Sequence, residues 1–402
     1  MEWYLALILL LGTVCIAMFV GLPVAFAFFA ANILGTYLFI GGSLGLEEMP
    51  KEFQAAVTKF VLTPIALFLL MGEILLHTGV AFKAIGAIDR LIARVPGRLA
   101  VVSIAGGTIF SSLSGSSIAN TAILGSVLLP DMVKRGYAPT FAMGPIMAVG
   151  GIAVLIPPSA LAVLLASLAD QSIAKLLIAG IVPGLFMALL FFAYVIGRSM
   201  ANPSLAPGYD LDLSHLEQPI TFELYWRGRC RYQRVYDGPS KQALNRWLPF
   251  SIYITPLFMI FVVVVGSIFM KLAAPTEAAA LGCIAAFVIC YLFRLVGTVI
   301  RISGVEGAEF SWREIWKALM ETAKVNTMIL FIIAGSLVFT QALESSGATQ
   351  GLLREIIAFQ MTPLTAMFLM MLVLLFMGAF MDQVSMVLLT LPFFVPLALA
   401  QG

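Results

Sequence analysis

The chain has 402 residues, of which 61% are hydrophobic and only 11% charged, with a formal net charge of +2. Apolar runs recur from end to end, and a membrane span needs about 20 apolar residues, so the composition indicates an all-α polytopic membrane protein. It excludes a soluble core, which has no use for this much apolar surface, and a β-barrel, which alternates in short segments.

The elements follow in chain order. The start, MEWYLALILL, lacks a basic leader and reads as a first span and not a cleaved signal. Residues 3–40 exceed one span, and Gly21-Leu22-Pro23 divides them into two helices. Residues 41–59 make a polar connection with an amphipathic piece, and 60–79 a third span. Residues 80–98, with Lys83, Asp89, Arg90, Arg94 and Arg98, predict an interfacial amphipathic arm. A hairpin at 99–130, an interrupted helix at 140–165 and a span at 173–197 come next. The segment 198–247 is expected to be a polar loop, with seven Arg/Lys in 198–246. Spans follow at 249–270 and 276–296, the second opened by Ala274-Pro275-Thr276-Glu277, where Pro and Glu suit a first turn. Trp312 and Trp316, beside Arg313 and Lys317, predict an interfacial anchor before a span at 325–344. An arm at 348–360 and two short apolar runs at 363–400, around Asp382, complete the order.

The chain matches itself at an offset of 268. MGEILLHTGVAFKAI aligns with FTQALESSGATQGLL, so Met71 falls on Phe339, Gly79 on Gly347, Ser114 on Asp382 and Ser117 on Ser385. Each copy runs span, amphipathic arm, broken hydrophobic pair. Residues 80–98 and 131–138 hold six Arg/Lys against two, Lys51 and Lys59, in 41–59, which places the first group in the cytoplasm. Alternation then puts the N-terminus outside and the 198–247 loop inside. The hairpins at 99–130 and 363–400 enter from opposite sides, so the repeats are inverted. Interrupted segments in inverted repeats point to a transport site near the bilayer midplane.

The residues 111–117, SSLSGSS, place five serines and a glycine where lipid depth is expected. Non-helical backbone survives there only if it is buried in protein or lines a wet cavity. Two half-helices meeting at Leu113-Ser114-Gly115-Ser116-Ser117 offer free carbonyls to a hard cation and free N–H groups to an anion. Asn120 adds a carbonyl oxygen one turn on. In GGIAVLIPPSALAVLL, residues 150–165, Pro157 and Pro158 remove two backbone donors, leaving carbonyls near Ile156 and the Ser159 hydroxyl available. A break facing the hairpin tip would complete an oxygen cage. Asp382, flanked by Gln383 and Ser385, is costly in a bilayer, and either caps a half-helix or binds a ligand, or both. Ser116, Ser117, Ser159 and Asp382 are the substrate-contact candidates. Glu73, in mid-span, needs a polar partner. Cys15, Cys230, Cys283 and Cys290 lack CxxC spacing, and His77 and His215 stand far apart, so neither zinc nor haem is expected.

SLSGSSIANTAILGSVLLPDMVKRGY, then GPIMAVGGIAVLIPPSALAVLLASLADQSI, then KLAAPTEAAALG resemble the large membrane subunit of TRAP (tripartite ATP-independent periplasmic) transporters, of the ion transporter superfamily. The resemblance covers the order of spans over the whole chain. It implies an elevator-type, sodium-coupled importer of organic acids in a bacterial inner membrane, without ATP or an organic cofactor, and with a periplasmic N-terminus. It implies two partners, a small four-helix membrane subunit and a periplasmic substrate-binding protein, and none of nucleic acid. Ser114, Gly115, Ser116, Asn120, Ile156, Pro157, Pro158 and Ser159 would form one sodium site; Asn120 stands where an acidic residue is common in the family. Asp382, Gln383 and Ser385 would begin a second, whose matching break is expected near position 425, past Gly402, leaving the second repeat incomplete. The implied scaffold is 1–59 and 248–324; the repeats are 60–197 and 325–402. The alternatives are a standalone sodium/anion symporter of the same design, a non-transporting assembly subunit, or a membrane-embedded enzyme. The last would need a nucleophile with a base, or paired aspartates, at depth.

Overall fold

The computed structural model describes residues 2–92, 95–115, 117–207, 219–226, 229–302, 305, 310–358, 362–379 and 381–401. Among them, six helices are long and apolar enough to cross a membrane, or seven if one bent pair counts as a single span. The chain gathers into two compact units, one of residues 1–62, 168–170 and 324–402, the other of 63–167 and 171–323.

The first unit opens with α1 (Trp3–Phe19) and α2 (Val24–Phe39), separated at Gly21-Leu22-Pro23 as the sequence predicts. At 17 and 16 residues they reach only about 24–26 Å, short for a perpendicular span. The amphipathic piece is α3 (Ser43–Val57). The second unit begins with α4 (Thr63–His77) and the arm α5 (Val80–Leu91), then the hairpin α6 (Arg98–Ser114) and α7 (Ser117–Lys134). The interrupted helix is α8 (Pro139–Leu155) with α9 (Ala160–Leu168), bent by 47°. After α10 (Ile173–Ala201) come α11 (Lys241–Phe269), α12 (Pro275–Thr298) and α13 (Trp312–Ser345), the last crossing from one unit into the other. The first unit is completed by α14 (Ala348–Ala358), α15 (Pro363–Met377) and α16 (Gln383–Gln401).

The expectation of an all-α chain needs correction. Within 198–247, β1 (Ile220–Trp226) and β2 (Arg229–Tyr236) form a hairpin, and β3 (Ile300–Ile302) joins β1 to give an antiparallel sheet ordered β2-β1-β3. Charge dominates the segment, but ITFELYW alternates apolar and polar positions, the period of a half-buried strand. The polar loop is also shorter than expected, because α10 runs to Ala201 and α11 starts at Lys241. On one sheet face Tyr225 donates to Glu223 (3.1 Å), Gln233 donates to the same carboxylate (3.3 Å), and Arg301 lies 4.6 Å over the Tyr225 ring. That hydrogen bond, then the Glu223 charge, holds the Tyr225 phenol above its usual range. A second correction concerns Trp312 and Trp316. They are not a separate anchor but the exposed first turns of α13, continuous through Ser345, because no Pro or Gly breaks the helix near Lys324.

Two spans end in the same backbone geometry. Gly79 and Gly347 each end a span in the left-handed region, both at φ +74°, and each is followed at once by an amphipathic arm. That conformation is cheap for glycine and terminates a helix. Two arginines then hold the far end of the first arm. Arg98 donates to the carbonyls of Ile92 (2.6 Å) and Asp89 (2.7 Å), and Arg246 of α11 donates to that of Leu91. Cations on terminal carbonyls suit the negative end of a helix dipole. Arg98 also pairs with the Asp89 carboxylate at 3.0 Å, which burial nevertheless pushes above the ordinary carboxylate range.

Several polar side chains in the helices are spent on joining them. In the first unit Asn32 donates to the Gly335 carbonyl (2.7 Å) and Ser336 to that of Leu388 (2.8 Å). In the second, Cys283 donates to the Leu67 carbonyl (2.9 Å), and Thr78 and Cys290 meet at 3.1 Å. Glu73 finds its partner in His77, one turn on, at 3.5 Å; the other ring nitrogen of His77 lies 4.0 Å from Glu314. Glu277 accepts from the Ala274 N–H (2.8 Å), the helix-start role its sequence context predicts.

A close helix approach backs the α8/α9 break. A Cβ added to Gly180 would lie 2.3 Å from the Leu155 carbonyl oxygen, and one at Gly184 2.6 Å from Ile156 Cγ1. Gly180→Ala is therefore expected to destabilise the folded chain by about 1–3 kcal/mol, since backbone must move. Gly12→Ala, at a position with open space, is expected to be neutral. Thermal unfolding of both in one detergent checks this; equal melting temperatures would contradict the packing.

Candidate functional site

The hairpin tip and the broken helix meet in the second unit. α6 ends at Ser114, Gly115 reverses the chain at φ +59°, and α7 starts at Ser117. Gly115 lies directly on the break: a Cβ there would stand 3.1 Å from both the Pro158 carbonyl oxygen and the Ala160 nitrogen. Only glycine accommodates both the left-handed turn and that approach. The sequence expectation that the interruption faces the tip is met at this residue.

The break owes its form to Pro157 and Pro158. Without N–H groups they remove the helical donors for the Ala153 and Val154 carbonyls. Ile156 turns extended at φ −84° and ψ 120°, and α9 restarts at Ala160. The whole segment Ile156–Ser159 is buried. The Ser159 hydroxyl accepts from the Ala162 N–H (3.2 Å), so Ser159 caps α9.

Asn120 ties the hairpin legs together. Its amide donates to Ser111 Oγ (2.5 Å) and to the Gly107 carbonyl (3.3 Å), and Ser111 Oγ donates to the Val149 carbonyl of α8 (3.3 Å). Asn120 is fully buried, and its Oδ1 has no hydrogen-bond partner among the described residues. A buried unpaired carbonyl oxygen costs about 1–3 kcal/mol and suits a cation ligand. The Pro158 carbonyl lies at the tip itself, and Asn120 lies along the hairpin beside Ser111 and Gly107. Ser116 lies outside the described residues, as does the side chain of Ser114. Ser117 is the first residue of α7, its carbonyl close to Gly150 of α8.

Asp382 lies in the first unit, just before α16. Its Oδ2 accepts from the N–H groups of Val384 (3.1 Å) and Ser385 (3.2 Å), and its Oδ1 from the Ser385 hydroxyl. Gln383 is the first residue of α16. Asp382 is thus an N-cap, a role that leaves lone pairs on both oxygens.

Sequence reasoning missed Ser111, which mediates between the hairpin and α8, and the α10 glycines. The glycines had a signal. GIVPG, residues 180–184, has the small-xxx-small spacing that lets membrane helices approach closely.

Residues 11–402 match the family described as tripartite ATP-independent periplasmic transporter, DctM component. The chain belongs to that family. It is 27% identical over 346 residues to a C4-dicarboxylate TRAP transporter large permease protein of Pseudomonas aeruginosa, covering 85% of this chain and 70% of that one. It is 26% identical to a sialic acid TRAP transporter large permease protein of Vibrio cholerae, covering 96% and 79%. It is 25% identical to an ectoine/5-hydroxyectoine TRAP transporter large permease protein of Ruegeria pomeroyi, covering 97% and 81%. As a TRAP large permease subunit, the chain is a multi-pass membrane transport protein and not an enzyme.

The capping geometry generates one expectation. Asp382→Ala should cost about 0.5–2 kcal/mol and speed hydrogen exchange at Val384 and Ser385, while Asp382→Asn keeps most of both. Unchanged exchange in Asp382→Ala would remove the cap assignment.

Proposed function

We propose that this TRAP large subunit is the translocating component of a sodium-coupled importer of an organic acid, working beside a small four-helix membrane subunit and receiving substrate from a periplasmic binding protein. The observation that carries the reading is the contact of Gly115 with the Pro158 carbonyl and the start of α9. It joins a helix–tip–helix hairpin to an unwound segment, at a place where backbone polar groups are buried. Unwound backbone at membrane depth is kept where it binds something.

The roles divide by charge. The C-terminal end of α6, the Pro158 carbonyl and Asn120 Oδ1 supply the uncharged oxygens that sodium takes in exchange for water. The N-terminal ends of α7 and α9 carry the positive ends of helix dipoles, which favour a substrate carboxylate. Ser117 and Ser159 stand at those ends. Sodium bound beside the carboxylate offsets its charge, so each ligand strengthens the other's binding, and this is coupling in thermodynamic terms. Asp382 with Ser385 begins a second ion site on the other repeat. In the elevator reading, the hairpins and the broken helix move as the transport part against a scaffold of 1–59 and 248–324. The arms α5 and α14 link the two. The names of the relatives span dicarboxylate, sialic acid and ectoine, so an organic acid is the class they support.

The test is the melting temperature of the purified chain against sodium, with potassium at equal ionic strength. A ligand that binds only the folded state stabilises it by about 2.7 kcal/mol at a hundred times its Kd. A saturable, sodium-specific rise is expected, weakened in Ser116→Ala and absent in Gly115→Ala, whose side chain would part the tip from the break. Potassium matching sodium in the wild type, or an unaltered sodium response in both variants, would overturn the ion assignment. Uptake into proteoliposomes with and without a binding protein would then decide the delivery step.

A further inference from the structure

We infer that the β2-β1-β3 sheet is an interfacial platform that binds the anionic phospholipid headgroups of the adjacent leaflet. The sheet is tethered close to two helix ends. α12 ends at Thr298 and β3 begins at Ile300, with the Val299 carbonyl accepting from the Tyr225 N–H at 2.7 Å. On the other side β2 ends at Tyr236 and α11 begins at Lys241. Both helices are apolar enough to cross a membrane. Tethers of so few residues hold the sheet within about 10–15 Å of two helix ends. Trp247, 53% exposed on the second turn of α11, marks the level at which amphipathic aromatics settle.

The two faces of the sheet differ in chemistry. One carries Glu223, Tyr225, Gln233 and Arg301, satisfied among themselves, and suits water. On the other, cross-strand register sets Tyr232, Leu224 and Ile300 in a row across all three strands. These are 56%, 41% and 41% exposed. The next row is Arg234, Phe222 and Ile302, with Arg234 exposed and the other two half-buried. Arg231 sits exposed at the bulge beside them. An apolar row with a basic rim is the pattern of a surface that rests in headgroups. Residues 220–246 hold six Arg/Lys against two acidic residues, Glu223 and Asp237; Lys241 pairs with Asp237 at 2.7 Å and Arg246 is spent on the Leu91 carbonyl, which still leaves a basic surplus. The charge surplus complements an anionic leaflet, where each basic residue near the surface attracts phosphate. Guanidinium groups favour phosphate further, through paired donors in a planar fork. Leu224 and Tyr232 are exposed in the isolated chain because the surface they fit is the bilayer itself.

The whole chain in nanodiscs tests this. Phosphatidylglycerol is titrated into neutral phosphatidylcholine, and melting temperature and hydrogen exchange at 229–236 are followed. A saturable rise in melting temperature and slower exchange on β2 are expected. Arg231→Gln with Arg234→Gln should need roughly tenfold more phosphatidylglycerol. Tyr232→Ser should lose the protection on β2 without altering the neutral-lipid melting temperature. Lys51→Gln with Lys59→Gln, the same loss of charge elsewhere, should respond as the wild type does. Identical behaviour in neutral and anionic discs, or a wild-type response in both sheet variants, would overturn the proposal. Protection by inorganic phosphate in neutral discs would overturn it too, assigning a soluble anion site in place of a lipid surface.

Discussion

A backbone carbonyl without a donor is tolerable in water and expensive in an apolar interior. Pro157 and Pro158 create that situation in the middle of a buried helix, and much of the second unit can be understood as its consequence. The hairpin tip at Gly115 closes on one side of the break, and the glycines of α10 close on the other. Ser159 recovers part of the cost by capping α9. The Asn120 Oδ1 stays without a partner among the described residues nearby.

Preorganisation of this kind depends on rigid neighbours. Asn120 and Ser111 link α7, α6 and α8 through side chains, so the tip is held by its own legs and by the helix it touches. The same economy appears elsewhere. Asn32, Ser336, Thr78 and Cys283 each join helices within their unit, where shared apolarity with lipid leaves little hydrophobic drive for association. The Glu73–His77–Glu314 group belongs with these, a polar cluster that links α4 to the head of α13.

The arms bring mechanics into view. Each follows a span across a left-handed glycine, Gly79 or Gly347, a joint with few steric demands. The far end of the first arm is fixed differently, by Arg98 and by Arg246, which reaches from α11.

The sequence by itself determined the class of protein, the succession of apolar helices and the break at Pro157-Pro158. Length, apolar periodicity, proline and glycine are local signals, and membrane depth makes polar residues conspicuous. The cap at Glu277 and the joint at Gly21-Leu22-Pro23 were legible for the same reason. The β-sheet was not, because β3 pairs with β1 across 76 residues, from Leu224 to Ile300 beyond two helices, and the arginines of β2 masked its alternation. Nor was the continuity of α13 past Lys324, which depends on the absence of a break more than on any motif. The tertiary structure alone decided that Gly115 rests on Pro158, that His77 reaches Glu314, and that Ser111 reaches the Val149 carbonyl. Those are matters of distance between atoms, and packing sets them.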